Sequence, residues 1–213
     1  MSHFTGSANS IRLIGGALVL DFINTTNGRR PGTTLKVMEE RLTSFPFFFE
    51  WALHASLVST HEFEHYKPMV FEWPIAYQPN LEAVIAFREC LYAVFYPLAL
   101  HQPIPDAALA QINLTFQQGV AWRELRTVDG QPAWVWKPCT SAQELTTMLL
   151  GRLAIDATQW LVPGALQGLK CCGAHDCDWI FLDISKNKQR RWCQMSVCGS
   201  REKSSRLKHG RPP

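Results

Sequence analysis

Apolar residues recur at helical spacing in several stretches of the chain and alternate with polar residues in others. Residues 81–100 are apolar on nearly every side of a helical turn, which predicts a central, buried helix that Asn80 can cap. Residues 142–162 have one apolar face and follow Ser141, a favourable N-cap residue. They predict an amphipathic helix of about five turns.

Two further helices are expected on the same grounds. Asp106 can cap a helix over residues 106–118. Ser44 or Pro46 can begin another, whose buried face includes Trp51. Four Phe residues lie close to Trp51, and such a cluster can form either a packed core or the wall of a ligand pocket. A packed core is the commoner use of aromatic residues.

The polar and proline-rich stretches predict the connections. Residues 27–34 contain Gly, Pro and Asn and indicate a loop. The polar residues 35–43 are expected to start a helix. Residues 68–79 contain three prolines, which predicts a connector without regular structure.

The alternating pattern is clearest over residues 120–138. Apolar residues alternate there on both sides of Asp129 and Gly130, and an Asp-Gly pair between alternating runs predicts a β-hairpin. The opening segment, residues 11–26, is ambiguous, because its apolar positions fit a strand and one face of a helix equally well. Asp21 lies within it and either braces local backbone or faces a ligand.

Charge and cysteine divide the chain unevenly. Residues 170–213 hold ten Lys or Arg against four Asp or Glu, and five of the seven cysteines. The start of the chain has no pattern of a secretory leader, and no apolar run approaches the ~18 residues of a membrane span. We therefore expect a cytoplasmic protein whose clustered thiols bind metal rather than form disulfides.

Two cysteine pairs predict the metal site. Cys172 and Cys177, like Cys193 and Cys198, are separated by four residues, and fifteen residues lie between the pairs. Such pairs supply the four ligands of one tetrahedral Zn²⁺. The alternatives are Cys171 in place of its neighbour, or a site in which His175 replaces a thiolate. A site with four thiolates has no open position, which indicates a structural ion.

The residues between and after the pairs predict a small folded module. An apolar strand over residues 179–182 is expected to turn near Lys188 and return as a hairpin, with Asp183 holding Arg190 or Arg191. Trp192 is expected to pack over the zinc core. Ser200 can cap a final basic helix.

This tail resembles the CGNR zinc finger, found at the C-terminus of predicted bacterial transcriptional regulators. In place of the family's Asn, the chain has Ser200, which either caps the helix equally well or changes contacts to DNA bases. The residues that carry the resemblance are Cys172, Cys177, Phe181, Asp183, Ser185, Arg190, Arg191, Trp192, Cys193, Met195, Cys198, Gly199 and Arg201.

The start of the chain resembles the ABATE domain that precedes this finger, through a GGxLxLDFxNT pattern over residues 15–25. The resemblance implies an α+β fold: a mainly helical sensor domain with a β-hairpin, residues 1–168, followed by the zinc-stabilised module, residues 169–213. It also implies a DNA-binding regulator that senses a small ligand or stress signal. Asp21, Asn24 and Trp51 are candidate ligand-binding residues.

Double-stranded DNA is the expected partner, and a homodimer is expected if the target site is symmetric. The alternative is a module that binds a protein. An enzyme is not expected, since nothing brings Asp21, His54, His61 and His65 together. The expected phosphate contacts come from basic residues of the tail. They are Lys186, Lys188, Arg190, Arg191, Arg201, Lys203, Arg206, Lys208 and Arg211.

Overall fold

The computed structural model describes residues 5–29, 39–72, 77–162 and 164–208. Seven α-helices and three two-stranded antiparallel sheets are found in these ranges, so the predicted α+β class is confirmed. The helices are α1 Leu18–Ile23, α2 Phe45–His54, α3 Thr60–Glu72, α4 Gln78–Ala99, α5 Asp106–Ala121, α6 Ala142–Trp160 and α7 Ser200–Lys208. The strands are β1 Thr26–Asn27, β2 Glu39–Glu40, β3 Arg123–Val128, β4 Gln131–Trp136, β5 Leu169–Cys171 and β6 Ile180–Leu182.

Helix α4 lies at the centre of the helical core, as its all-round apolar pattern predicts. Val84, Leu91 and Phe95 are fully buried, and α4 packs against α1, α2, α5 and α6. Helices α5 and α6 approach most closely at Gly119 and Gly151. A Cβ on Gly119 would lie 2.4 Å from the Gly151 Cα, so the two backbones touch where neither residue has a side chain.

The predicted hairpin forms between β3 and β4. The strands pair from Arg123↔Trp136 to Val128↔Gln131. The two turn residues, Asp129 and Gly130, have φ of 50° and 76°. Positive φ at both central residues is what a turn of type I′ requires. Local sequence determines this element because the turn and the alternation agree.

The N-terminal segments adopt structures that the pattern left open or predicted wrongly. Within the ambiguous residues 11–26, Leu18–Ile23 form helix α1, whose Val19 amide donates to Asp156 Oδ2 on α6 at 2.9 Å. Within the polar stretch 35–43, Glu39 and Glu40 form strand β2 instead of starting a helix, because they pair with β1. Residues 35–38 lie outside the described part, as do residues 30–34 of the predicted loop.

The connector predicted over residues 68–79 is also wrong in its first part. Helix α3 continues through Pro68 to Glu72, because Phe63, Tyr66 and Val70 form a buried face at helical spacing. Residues 73–76 lie outside the described part.

The predicted helix starts are confirmed at two positions and wrong at two others. Ser44 and Ser141 are N-caps, and their hydroxyls accept from the amides of Phe47 and Glu144. Asp106 is the first helical residue rather than the cap. Asn80 lies inside α4, where its buried amide donates to Thr146 Oγ1 at 2.8 Å and so ties α4 to α6.

The aromatic residues around Trp51 form packed core rather than a pocket wall. Trp51 is fully buried, and its ring stacks on Phe48 with centroids 6.0 Å apart. Phe22 of α1 packs against the same indole at 5.5 Å. Among the described residues, no helix is long and apolar enough to cross a membrane.

Candidate metal centre and nucleic-acid interface

Four cysteines converge at the C-terminal end of the fold. The sulfurs of Cys172, Cys177, Cys193 and Cys198 all lie within 4.8 Å of one another, and all four residues are buried. The Cys177–Cys193 and Cys193–Cys198 sulfur pairs are 3.8 and 3.5 Å apart. Tetrahedral zinc with Zn–S bonds of about 2.3 Å requires sulfurs about 3.8 Å apart, so the four thiols fit one structural Zn²⁺.

Local backbone bonds shape the two cysteine turns. In the first, Cys172 N donates to Trp179 O at 2.8 Å, which closes the loop around Cys177. In the second, Gln194 O accepts from the amides of Cys198 and Gly199 within a short π-helical segment, Met195–Gly199. Each turn therefore holds two sulfurs on the same side, as a closed metal site requires.

The crowded sulfurs favour a thiolate at Cys172 and raise the pKa of Cys177 and Cys193. Hydrogen bonds from Cys177, and then from Cys193 and Cys198, lower the pKa of Cys172. The amide of Cys193 also donates to the Cys172 sulfur at 3.4 Å. A thiolate is the form that binds a metal ion, so metal binding must also displace the protons of Cys177 and Cys193.

The alternative ligands lie elsewhere. Cys171 is part of β5, opposite Ile180, and does not belong to the four-sulfur cluster. His175 is exposed, and its Nδ1 lies 2.5 Å from Glu202 Oε1 at the start of α7. The ligands predicted from spacing are therefore the ones the fold brings together.

The strand of the module pairs differently from the expected hairpin. Residues Ile180–Leu182 do form a strand, β6, but its partner is β5, with Lys170 opposite Phe181. The return segment is held by isolated hydrogen bonds instead of strand pairing. In one of them, Gly173 N donates to Arg191 O at 2.8 Å. Trp192 packs on the small cysteine core, as predicted.

Asp183 organises the loop between the cysteine pairs. Its buried carboxylate accepts from Lys170 Nζ at 2.7 Å, Ser185 Oγ at 2.5 Å and the Arg190 amide at 2.8 Å. The Lys170 ammonium is the main reason that the pKa of Asp183 lies below its usual range, and the Ser185 hydroxyl adds to it. Asp183 was expected to hold an arginine side chain, but it holds the Arg190 backbone.

The final helix starts without the predicted cap. Ser200 has helical φ and ψ and continues directly from the π-helical segment, so it is a helical residue rather than an N-cap. The first turn of α7 is bound to the first cysteine turn instead. Arg201 pairs with Asp176 at 2.7 Å, and Glu202 accepts from the His175 amide at 2.8 Å.

The zinc module is seated on the opening segment of the chain. The side chain of Asn24 binds both backbone groups of Ile180, donating to O at 2.8 Å and accepting from N at 3.0 Å. Trp179 Nε1 donates to Thr26 O at 3.0 Å, and Leu182 N donates to Gly15 O at 2.8 Å. These bonds fix strand β6 against α1 and β1.

A buried ion pair strengthens this contact. Asp178, next to the zinc ligand Cys177, is fully buried and lies 3.7 Å from Arg29 Nε. The Arg29 amide donates to the same carboxylate at 2.5 Å, and its guanidinium lies over the ring of Tyr92 in α4. Burial lowers the pKa of Arg29, while Glu89 and Asp178 favour its charged form.

Two family models match the chain in the positions where the two patterns occur. The model of the CGNR zinc finger matches residues 169–210. The ABATE model, described as "Putative stress-induced transcription regulator", matches residues 16–164. The chain belongs to the ABATE family. Among curated proteins, none matches it.

Two candidate ligand-binding residues of the ABATE pattern have structural partners. Asp21 is buried, and its Oδ1 accepts from Gly15 N at 2.7 Å, which is the bracing role left open above. Burial raises the pKa of Asp21 to about 6. Asn24 binds the zinc module. The third candidate, Trp51, belongs to the aromatic core.

The structure also explains why the second residue of the ABATE pattern is glycine. Gly16 has φ +83°, and a Cβ there would lie 3.3 Å from the Leu182 Cβ of the zinc module. Glycine therefore allows both the tight turn at this position and the close contact with β6. Sequence reasoning assigned no role to Gly16, because its neighbour Leu182 is far along the chain.

Among the candidate acid–base residues, Asp21 and His54 interact electrostatically, and each also binds a backbone group. His54 Nε2 lies 3.0 Å from the Ile11 carbonyl, whereas His61 and His65 are exposed on α3. Asp21 binds the backbone of Gly15.

The basic residues of the finger divide into inward-bound and exposed ones. The Arg190 guanidinium lies over Phe181 and donates to the carbonyls of Trp192 and Cys193. Lys188 is exposed, but its Nζ donates to Asp183 O at 2.7 Å. Lys186, Arg191 and Lys203 are exposed and form no ion pair with described residues. The side chains of Arg206 and Lys208, and all of Arg211, lie outside the described part.

A cavity of about 210 Å³ lies where the finger meets the opening segment. Its lining residues include Arg12, Asn27 and Arg41 of the N-terminal part and three of the zinc ligands, Cys177, Cys193 and Cys198, so the cavity borders the metal site. Neither Asp21, Asn24 nor Trp51 is among its lining residues. A ligand bound there would touch both parts of the protein.

Proposed function

We propose that the protein is a transcription regulator that binds double-stranded DNA through its zinc module. The observation that supports this most directly is that a module held by four thiols carries exposed basic residues, among them Lys186, Arg191 and Lys203. Small zinc modules with clustered Lys and Arg commonly bind nucleic acid. The membership of the ABATE family agrees with this role. The role requires no catalysis, and we propose that the protein is not an enzyme.

In this proposal the zinc ion only stabilises the folded shape of the module. Four thiolates leave no coordination position for DNA or water. The ion would hold the two cysteine turns in place. The cysteine turns position helix α7 and the loop after β6. DNA binding should therefore require zinc without any direct contact between the metal and DNA.

Salt dependence of DNA binding tests the proposal. We expect the zinc-loaded full chain to bind random-sequence duplex DNA in fluorescence anisotropy, with affinity falling steeply as salt rises. In a Lys186→Ala, Arg191→Ala double variant, the slope of log affinity against log salt should become shallower by about 2, because each lost phosphate contact removes about 0.9.

The matched control replaces two exposed basic residues outside the finger, Lys67→Ala and Arg126→Ala. Their side chains are 49% and 60% exposed, and the slope should not change. The DNA-binding proposal is wrong if the wild type does not bind DNA even at low salt. It is also wrong if the salt slope becomes shallower by the same amount in both double variants. The finger would then be a candidate protein-binding module.

We also propose that a small ligand or stress signal regulates the protein, which we place in the cytoplasm. The cavity beside the zinc site supports this, because Arg12 and Arg41 of the N-terminal part line it together with residues of the finger. If the finger can take two positions relative to the helices, a ligand that binds more tightly to one of them would shift DNA affinity. Screening metabolites for ones that change both melting temperature and DNA affinity tests this role, and an effect on neither would contradict it.

A further inference from the structure

The N-terminal turn of α7 is already engaged within the protein. Helices that enter the major groove commonly contact base edges with their N-terminal residues. Here Arg201 pairs with Asp176 at 2.7 Å and donates to the Cys198 sulfur at 3.4 Å. Glu202 binds His175 and would bring a negative charge towards the phosphates. Contacts from this turn to bases would require the protein to give up these bonds.

The loop of residues 184–189, here called the Asp183 loop, has the opposite character. All six of its residues are exposed. Its backbone is nevertheless fixed, because Asp183 binds Ser185 and the Arg190 amide at either end. Within the loop, Lys188 N donates to Ser185 O at 3.1 Å. An element that is exposed and already ordered loses little entropy on binding.

The side chains of the Asp183 loop suit base edges. Asn187 and Gln189 are exposed and form no hydrogen bond with described residues. Carboxamides of this kind bind adenine in the major groove. Ile184 is 79% exposed. Such exposure is unusual for Ile, which is among the residues most often fully buried. An apolar side chain can contact the thymine methyl group.

We propose that the Asp183 loop, rather than the first turn of α7, reads the DNA sequence. This inference rests on the proposed DNA-binding function and names the element that gives it specificity. Ile184, Asn187 and Gln189 contact base edges. Lys186 within the loop and Arg191 just after it contact phosphates. Among the described side chains of helix α7, Lys203 contributes a phosphate contact.

The test compares affinity for a selected site with affinity for random duplex. The site is first selected from random DNA with the zinc-loaded full chain. An Ile184→Ala, Asn187→Ala double variant should reduce the ratio of the two affinities by about 10- to 100-fold, the scale of one or two lost base contacts. Its salt slope should stay at the wild-type value, because no phosphate contact is removed.

A Lys203→Ala variant serves as the matched control on α7. It should make the salt slope shallower by about 0.9 and leave the affinity ratio unchanged. Zinc content and melting temperature of each variant are compared with the wild type, which separates loss of contact from loss of fold. The substituted side chains are exposed, so both values should be preserved.

Three outcomes would overturn the inference while leaving DNA binding intact. The loop variant could keep the wild-type affinity ratio, the Lys203→Ala variant could lose it, or the wild type could bind all duplexes equally. Absence of any DNA binding by the wild type is a different result, and it contradicts the proposed function itself.

Discussion

At the residue scale, neighbours in sequence have different environments. Cys172 is fully buried and supplies a sulfur to the four-thiol cluster, whereas Cys171 lies on β5 and is partly exposed. Arg190 and Arg191 differ in the same way, since only Arg191 is exposed. Asp21 and Asp183 are both buried, but burial raises the pKa of Asp21, whereas the ammonium of Lys170 lowers the pKa of Asp183.

The two adjacent cysteines give a direct test of the zinc ligands. Cys172→Ser should reduce zinc from one ion per chain to nearly none, because serine is a poor ligand at neutral pH. Cys171→Ser should retain the ion, since its sulfur is not part of the cluster. Metal analysis of the purified variants checks this. Equal zinc loss in both would contradict the assignment.

Asp21 should make stability depend on pH. Its pKa is raised from 3.8 to about 6 in the folded protein, so the folded state binds the proton more tightly than the unfolded state. Its contribution is therefore largest at low pH and falls as pH rises towards and through 6. Between pH 5 and 7, the free energy of unfolding of the wild type should fall by about 1 kcal/mol relative to Asp21→Asn.

Urea unfolding of both proteins across this range measures the difference. Asn can still accept the Gly15 hydrogen bond, so the comparison isolates the charge. Asp129→Asn, at the exposed hairpin turn, is the control and should show no such divergence from the wild type. A constant difference between the wild type and Asp21→Asn would show that Asp21 titrates normally.

At the element scale, α1 and β1 act as the seat of the zinc module. Asn24 binds both backbone groups of Ile180, and Gly16 lets β6 come close. The ABATE pattern therefore has a structural meaning, because its Gly and Asn positions contact the finger. Strand β6 is fixed on one side by β5 and on the other by this segment.

Removing the Asn24 side chain should loosen the module from its seat. Asn24→Ala leaves two buried backbone groups of Ile180 without partners, which should lower the free energy of unfolding by about 2 to 4 kcal/mol. Amide exchange at Ile180 should quicken while zinc is retained.

Asn113→Ala is the matched control, because Asn113 is exposed on α5. An exposed substitution of this kind should change the free energy of unfolding by less than about 0.5 kcal/mol. Unchanged amide exchange at Ile180 in Asn24→Ala would contradict the seating role.

At the scale of the whole molecule, the helical part and the finger share one apolar core. Leu169, Ile180 and Leu182 belong to the same buried cluster as the helices, while the cysteines form a smaller cluster beside it. The two matched families are therefore adjacent in sequence but continuous in packing.

Shared packing predicts that the two parts unfold together. A fragment of residues 1–168 loses Ile180 and Leu182 from its core and the partner of Asn24, so we expect it to lack a cooperative thermal transition. For the same reason, a strong chelator should lower the melting temperature of the helices in the full chain. A fragment with native helical circular dichroism and a sharp transition would contradict this.

Features set by local sequence follow from the chain alone. The spacing of Cys172, Cys177, Cys193 and Cys198 predicts the four-sulfur cluster that the fold forms, because each turn brings its own pair together. The hairpin at Asp129 and Gly130 and the cap at Ser44 are equally local. In each case the residues that decide the structure lie within a few positions of one another.

Tertiary structure decided the features that depend on distant partners. Strand β6 pairs with β5 rather than with the return segment, and Ser200 continues a helix rather than capping one. Asn24 binds a residue 156 positions away, and Glu39 and Glu40 form a strand only because β1 lies beside them. Residue spacing contains no information about such contacts, since the energy of burial and backbone pairing across the chain selects them.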